Sequence, residues 1–284
     1  MSRVAYVNGS FTPHLNAHVH IEDRGYQFAD GVYEVCIVID GRTYDFDGHY
    51  RRLERSLNEL RMPAPMKRAP LEAVIRELLR RNRLRDALVY IQVTRGVAPR
   101  NHPFPPNGAE PVMVMTARRF NVSESDAKAA KGVKVISQPD IRWGRVDIKT
   151  VGLLPNVLAK QAAVEAGAAE TFLVRDGVVT ECSSSNAWIV DKSGVLITHP
   201  KGNHILGGIT RETAIACAQE LQLKVEERAF TLEEAKAATE AFMTSATSFV
   251  MPIVAIDDSR IGDGQPGPIA ARLRNAYKNK ACGN

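Results

Sequence analysis

The chain has 284 residues, 44% of them hydrophobic and 24% charged, with a formal net charge of +5. That balance describes a packed globular protein of one large or two ordinary domains, and excludes a disordered or low-complexity chain. No stretch approaches the roughly 20 apolar residues of a membrane span, and the positive charges are too dispersed for a dedicated nucleic-acid surface.

In chain order, residues 4–7 read as a strand ended by the Asn8-Gly9 turn, and residues 32–39 as an apolar-rich strand. Asp40-Gly41 then separates that strand from Arg42-Thr43-Tyr44, a hairpin signal because both turn positions favour positive φ. After Asp47, Tyr50, Leu53, Leu57 and Leu60 fall on one helical face, and a second helix covers residues 71–80. The densest basic run (Arg80, Arg81, Arg83, Arg85) ends that helix and reads as solvated. Strands follow at 88–94 and 112–116. Residues 119–131 are polar and without apolar period, which marks them as a linker between a domain at 1–118 and one at 132–284.

The second part opens on a strand at 133–137, then a helix near 156–166 and a strand at 171–174. The turn Asp176-Gly177 leads to strands at 178–180 and 187–190. Helices are expected at 210–221, 232–237 and 269–278, with strands at 224–227, 241–244 and 250–256. Strands and helices mix without regular βαβ alternation, so the fold class is α+β with antiparallel or mixed sheets. The four cysteines (Cys36, Cys182, Cys217, Cys282) form no CxxC pair, and free thiols in a reducing compartment are the expectation. The N-terminal segment lacks the apolar run of a signal peptide, so a soluble cytoplasmic protein is expected.

Two signals mislead. Residues 262–267 match G-x-G-x-x-G, but the chain ends soon after and Pro266 and Pro268 stiffen the segment, so it reads as a surface turn. His14, His18 and His20 lack any supporting ligand cluster, and no metal site is expected. No G-x-S-x-G elbow or P-loop is present, which leaves serine-hydrolase and P-loop chemistry unsupported.

Lys149, in Asp147-Ile148-Lys149-Thr150, stands near Trp143, Val151, Leu153 and Leu154. An isolated lysine is ordinarily a surface residue, but apolar surroundings disfavour the ammonium form and make a nucleophilic amine. Glu181 follows a strand and precedes Cys182-Ser183-Ser184-Ser185-Asn186. Gly207-Gly208-Ile209-Thr210 runs into a helix start, which offers N–H donors and a favourable dipole to an anion. Thr244-Ser245-Ala246-Thr247-Ser248 is a further hydroxyl-rich turn.

Taken together, these segments resemble the fold-type IV pyridoxal-phosphate (PLP) enzymes, and within them the D-amino acid transaminases. The likeness runs from Tyr-Val-Asn-Gly at Tyr6 through the segment from Glu22 to Val35, His49-Tyr50-Arg51-Arg52-Leu53, the 95–102 segment, Asp140 to Lys149, and 175–186, to 207–211 and the glycine-rich turn at Gly262. The resemblance implies two α/β domains with the cofactor at their interface, a homodimer, and D-amino acid and 2-oxo acid substrates (2-oxoglutarate or pyruvate) in a ping-pong transamination. It implies that Lys149 forms the Schiff base with PLP and that Glu181 pairs with the pyridine nitrogen. By the same likeness Arg52, Ile209 and Thr210 hold the phosphate, with Ala246 and Thr247 contributing. Ser183, Ser184, Ser185 and Asn186 line the cofactor, and Tyr33, Arg100 and His102 bind the substrate carboxylate, the last two from the neighbouring subunit. Ala246 stands where many relatives carry threonine, Cys182 where glycine is common, and Ile37 where lysine occurs. Branched-chain L-amino acid transaminase, (R)-amine transaminase and aminodeoxychorismate lyase are the alternatives of the same fold. A non-catalytic PLP-binding protein is the alternative from another class.

Overall fold

The computed structural model describes residues 3–106 and 108–281, and these fall into two compact units. The first holds the residues up to Asn121 together with Ile148–Gly152. The second holds Val122–Asp147 and the residues from Leu153 onward. Cys282 lies outside the described residues; Cys36, Cys182 and Cys217 are buried, and none of the three forms a disulfide among the described residues.

In the first unit, β1 (Val4–Val7), β2 (Ser10–Pro13), β3 (Gly31–Ile39), β4 (Arg42–Thr43), β5 (Ala87–Thr94) and β6 (Val112–Arg119) form one antiparallel sheet in the order β2-β1-β6-β5-β3-β4. The Asn8-Gly9 and Asp40-Gly41 turns carry positive φ at both residues, as tight hairpins between right-twisted strands require. Asn8-Gly9 does more than end β1, because the chain returns as β2, a strand that its sequence does not announce.

Helices α1 (Arg24–Phe28), α2 (Phe46–Glu59) and α3 (Arg68–Asn82) complete this unit. Leu53 and Leu57 of α2 and Leu71, Ile75, Leu78 and Leu79 of α3 join Val32, Cys36, Val38, Val89 and Ile91 in one core. Tyr50 and Leu60 lie at its edge, partly buried. The buried face of α2 also includes His49 and Ser56. Polar side chains on a helix's core face need partners there, and both find them at the candidate site described below.

The Arg80–Arg81 run is a solvated helix end: both guanidinium groups donate to half-buried Glu77 at 2.7 Å.

The second unit begins with α4 (Val122–Lys131), where an irregular linker was expected at 119–131. The helix buries only Ser125 and Ala129, residues too small and polar to write an apolar period into the sequence. Its sheet contains β7 (Val133–Pro139), β8 (Glu170–Arg175), β9 (Val178–Cys182), β10 (Asn186–Val190), β11 (Leu196–Thr198), β12 (Val225–Glu227), β13 (Glu240–Ser245) and β14 (Phe249–Ile256). Their order is β12-β11-β10-β13-β14-β7-β8-β9, and the two-residue β15 (Ser259–Arg260) pairs with β14. The sheet is mixed: β11–β12, β14–β7 and β7–β8 are parallel and the other pairs antiparallel. Asp176-Gly177 turns with positive φ at both positions. Helices α5 (Leu154–Glu165), α6 (Ile209–Glu220), α7 (Leu232–Lys236) and α8 (Pro268–Ala281) pack beside these strands. No described helix is long and apolar enough to cross a membrane.

The glycine-rich segment at 262–267 leads into α8. Glu240 accepts from the N–H groups of Ile269 and Ala270 there and caps the helix, so the segment serves the helix start of its own chain.

Gly132 ends α4 in the left-handed region (φ +68°), and a Cβ built there would lie 2.3 Å from Val254 Cγ1. Gly132→Ala is therefore expected to lower stability by about 1–3 kcal/mol, read from denaturant midpoints.

Candidate active site

Lys149 belongs to the first unit although most residues around it in sequence belong to the second. Backbone hydrogen bonds cause this. Tyr33 N–H donates to Lys149 O at 3.0 Å and Val151 N–H to Gly31 O at 3.1 Å, so the segment lies along β3. Ile148 inserts into the first unit's core, and Lys149 N–H donates to Ser56 Oγ at 3.3 Å. With its backbone fixed, the half-buried side chain sets Nζ 4.1 Å from the centroid of the Tyr33 ring. The apolar surface at the amine is therefore Tyr33. Two sequence neighbours expected to supply it, Trp143 and Leu154, are 47% and 69% exposed. Tyr33 in turn packs on Tyr90 (5.7 Å between centroids), whose phenol is pushed up to about 12 by burial and then by Tyr33.

One residue along β3, the opposite face carries Glu34. Its carboxylate accepts from Arg52 Nε (2.7 Å) and Nη2 (2.8 Å) and lies 2.8 Å from His49 Nδ1. Burial pushes Glu34 up, but Arg52's charge and hydrogen bonds, with those of His49, more than offset it and hold the carboxyl well below its usual range. Arg52 is thus oriented by a buried fork-to-fork pair. The Cys36 thiol nearby is pushed up by burial and by Glu34, which leaves it neutral and inert. Glu34, His49 and Ser56 carry no local signal that names them; their only clue is polarity at positions of a buried face.

The 95–102 segment brings Arg100 and His102 together on one ring. Arg100 Cζ lies 4.6 Å from the Phe28 centroid, and the His102 ring 5.4 Å from it.

In the second unit, Glu181 is the penultimate residue of β9, and both of its carboxylate oxygens are held. Oε1 accepts from Arg142 Nη1 and from Leu206 N–H (3.1 Å), and Oε2 accepts from Asn186 Nδ2 (2.9 Å). Arg142 is itself gripped by Asp140 through Nε (2.9 Å) and Nη2 (2.8 Å). Burial disfavours the Arg142 charge, but Asp140 and Glu181 outweigh it and raise its pKa, so a permanent cation stands against Glu181. Asp140 and Arg142 belong to this network, and the sequence alone leaves them unassigned. Their separation by one residue is visible, but the pairing of Arg142 with a carboxylate 39 positions away is not.

Asn186 Nδ2 also donates to Leu206 O (2.9 Å), which ties β10 to the segment entering α6. Gly208 is the N-cap of α6, with no side-chain cap, and a Cβ there would lie 1.9 Å from Asn186 Oδ1. The helix start at Ile209 and Thr210 can press against Asn186 only because residue 208 is glycine.

Ser183 and Ser184 hydroxyls donate to the buried Glu170, and Ser185 Oγ lies 3.3 Å from Met243 Sδ. The 245–248 turn joins its hydroxyls to one another: Ser245 Oγ is 2.6 Å from Ser248 Oγ and 3.2 Å from Thr247 Oγ1. Ala246 is half-buried and Thr247 exposed.

Each unit by itself carries groups of the kind that a phosphorylated pyridine aldehyde needs. The first has a held amine and an ion-paired guanidinium; the second has an ion-paired carboxylate and a helix N-terminus without a side-chain cap in a cradle that a Cβ would fill.

The family of class IV amino-transferases matches residues 31–256, and the chain belongs to it. It is 42% identical over 272 residues to D-alanine aminotransferase of Bacillus licheniformis, covering 96% of this chain and 95% of that one. It is 40% identical over 285 residues to D-alanine aminotransferase of Listeria monocytogenes serotype 4b, covering 98% and 96%. Among solved structures, the T.th. branched-chain amino acid aminotransferase with pyridoxamine 5′-phosphate superposes with a TM-score of 0.89 at 27% identity, covering 100% of this chain and 95% of that one. The chain is an α+β, fold-type IV aminotransferase, and its cofactor is PLP.

The Asp140–Arg142 pairing gives a pH test. Burial pushes Asp140 up, but Arg142 outweighs it and lowers the carboxyl from 3.8 to about 2. A folded pKa below the unfolded one stabilises the protein above the unfolded value, and that contribution is lost as pH falls through the folded value. The wild type should therefore lose stability between 3.8 and about 2, and Asp140→Asn should lose less over that window when denaturation is followed at each pH.

Proposed function

We infer that the chain is a D-amino acid transaminase, which moves the amino group of a D-amino acid to a 2-oxo acid such as 2-oxoglutarate or pyruvate in two half-reactions. The observation that carries this reading is the amine of Lys149, held over Tyr33 by a backbone bonded to β3. Likeness to D-alanine aminotransferases over nearly the whole chain supports the handedness.

In this proposal Lys149 Nζ attaches the cofactor, and Arg52, Ile209, Thr210, Ala246 and Thr247 hold its phosphate. At Ala246 only the backbone N–H can donate. Ser183, Ser184, Ser185 and Asn186 line it. PLP, when bound, supplies the electron sink that makes the substrate Cα–H acidic. With the cofactor bound, Lys149 Nζ would act as the base that removes the Cα proton and then, as its conjugate acid, as the donor that delivers a proton to the atom where the electrons come to rest. Glu181 sets a negative charge at the pyridine nitrogen and is kept from swinging away by Arg142, Asn186 and Leu206 N–H. Tyr33, Arg100 and His102 bind the substrate carboxylate, Arg100 through two parallel N–H···O bonds. The position of that grip relative to Lys149 Nζ decides which Cα hydrogen meets the base, and so sets D-selectivity.

The proposal places the enzyme in the reducing cytoplasm as a homodimer. Cys36, Cys182 and Cys217, buried thiols outside any disulfide among the described residues, accord with the first point. The second is supported by α5, which exposes Leu154, Val157, Leu158 and Val164 at 55–69% of their surface. Leu158→Glu should shift the sedimenting species from dimer to monomer; a dimer unchanged by this substitution would remove α5 from the interface.

Lys149→Ala should abolish turnover and the visible absorption of the lysine-bound cofactor. For the wild type, D-alanine should discharge the bound PLP to pyridoxamine phosphate, whereas L-leucine and (R)-amines should not. Discharge by L-leucine alone would replace this reading with the branched-chain one.

A further inference from the structure

The 95–102 segment leaves β5 through backbone pairing with the segment before α1. Ala98 N–H donates to Glu22 O (3.3 Å), Arg24 N–H to Gly96 O (2.9 Å), and Asp23 bridges Val97. Beyond Ala98 the segment is held by a side chain instead. Arg24 is only 3% exposed, and its guanidinium donates through Nε to Asp30 Oδ2 (2.8 Å), through Nη1 to Asn101 O (2.6 Å) and through Nη2 to His102 O (3.2 Å).

Charge explains why the carbonyl contacts matter. Asp30 is shared by two buried guanidinium groups, since Arg95 donates to it through Nε (2.7 Å) and Nη2 (3.0 Å). One carboxylate therefore serves two cations, and the surplus positive charge is met by backbone carbonyls: Leu60 O for Arg95, and Asn101 O and His102 O for Arg24. Were the segment to move, Arg24 would lose two acceptors, which is costly for an ion that is not fully rehydrated. The hydrogen bonding of Arg24 and the path of the backbone at Asn101 and His102 are thus coupled.

Phe28 completes the arrangement. Its ring lies 4.8 Å from Arg24 Cζ, 4.6 Å from Arg100 Cζ and 5.4 Å from the His102 ring. The same aromatic plate sets the fixing arginine and the two side chains that the segment presents.

We propose that Arg24 is a positioning residue for substrate-carboxylate recognition: it locks the backbone at Asn101 and His102 so that Arg100 and His102 are set before substrate arrives. The proposal rests on the reading of Arg100 and His102 as the carboxylate-binding pair. Arg24 touches neither substrate nor cofactor. Its loss raises KM for a carboxylate substrate and leaves proton transfer at Cα intact once substrate is saturating.

The test uses PLP-loaded enzyme with three variants. Arg24→Lys keeps a cation beside Asp30 but cannot fork to both carbonyls. Phe28→Leu removes the plate from a half-buried position and keeps the molecule foldable should the lysine variant fail to fold. Arg100→Ala reports on the underlying reading. Expected for Arg24→Lys and Phe28→Leu are a KM for D-alanine raised about tenfold, kcat within a factor of about two, an unchanged cofactor absorption band, and faster tryptic cleavage after Arg100. If Arg100→Ala raises KM while both other variants keep wild-type KM and cleavage rate, the positioning role is overturned and the carboxylate reading survives. If Arg100→Ala itself leaves KM unchanged, the carboxylate reading falls and the role of Arg24 falls with it. Loss of cofactor and of kcat at unchanged KM would make Arg24 a plain structural residue and also overturn the proposal.

Discussion

A guanidinium group buried in protein has five N–H donors to satisfy and a charge to neutralise, and a single carboxylate rarely does both. In this chain the remainder falls on other groups of the segments that carry the candidate site residues. Arg52 is gripped by Glu34, which His49 also holds. Arg142 is gripped by Asp140 and completes its set with Glu181, Thr180 Oγ1 and His204 O. Arg24 and Arg95 share Asp30 and take up Asn101 O, His102 O and Leu60 O. Each arrangement ties a candidate site residue or its segment to a neighbouring one through directed bonds, which apolar contact alone does not do. Removing one partner leaves a buried ion unmet, so the ties resist small displacements more strongly than their net stabilisation suggests.

These ties also explain what sequence reasoning could and could not see. Turn chemistry is local, and Asn8-Gly9, Asp40-Gly41 and Asp176-Gly177 each adopt the positive φ values that their residue types favour. Helical period is local too, and Leu53 and Leu57 are buried where the period puts them. Partnership is not local. Nothing near Glu34 states that His49 and Arg52 will meet it from α2, because that depends on where a helix docks on a strand. The polar members of the α2 face, His49 and Ser56, weaken the apolar period for the same reason that they matter.

Two elements show how a composition-based reading fails. Residues 119–131 lack apolar period, yet 122–131 are helical, because a helix that buries only Ser125 and Ala129 leaves no hydrophobic trace. Its anchor is ionic instead: Asp126 accepts from Arg274 (2.9 Å) and Lys278 (2.7 Å), far along the chain in α8. Lys149 is the second case. Its sequence neighbours suggest apolar surroundings made from Trp143, Val151, Leu153 and Leu154, whereas the surface at its amine is the ring of Tyr33, which strand-like hydrogen bonding brings from a distant part of the first unit's sequence. Resemblance to a family recovers such a lysine because it records outcomes of folding that a single sequence does not spell out.

Arg274 applies the same device to the hydroxyl-rich turn. Phe249, at the end of that turn, has φ +60°, a region that a bulky side chain enters only under constraint. The constraint is visible on both sides of it: Arg274 Nη1 donates to Ser248 O (2.7 Å) and to Val250 O (2.8 Å), while its Cζ lies 5.1 Å from the Phe249 centroid. Nη2 is held by Ser125 Oγ (3.0 Å) and Asp126 Oδ1 (2.9 Å), and the helix that bears Arg274 is capped by Glu240 at its start. The left-handed residue is what lets the chain reverse over Ala246, Thr247 and Ser248 and bring the Thr247 and Ser248 hydroxyls within bonding distance of Ser245 Oγ. The shape of that turn is therefore not a property of its own five residues. It is imposed by α8 and α4, two helices whose sequences carry no chemical motif.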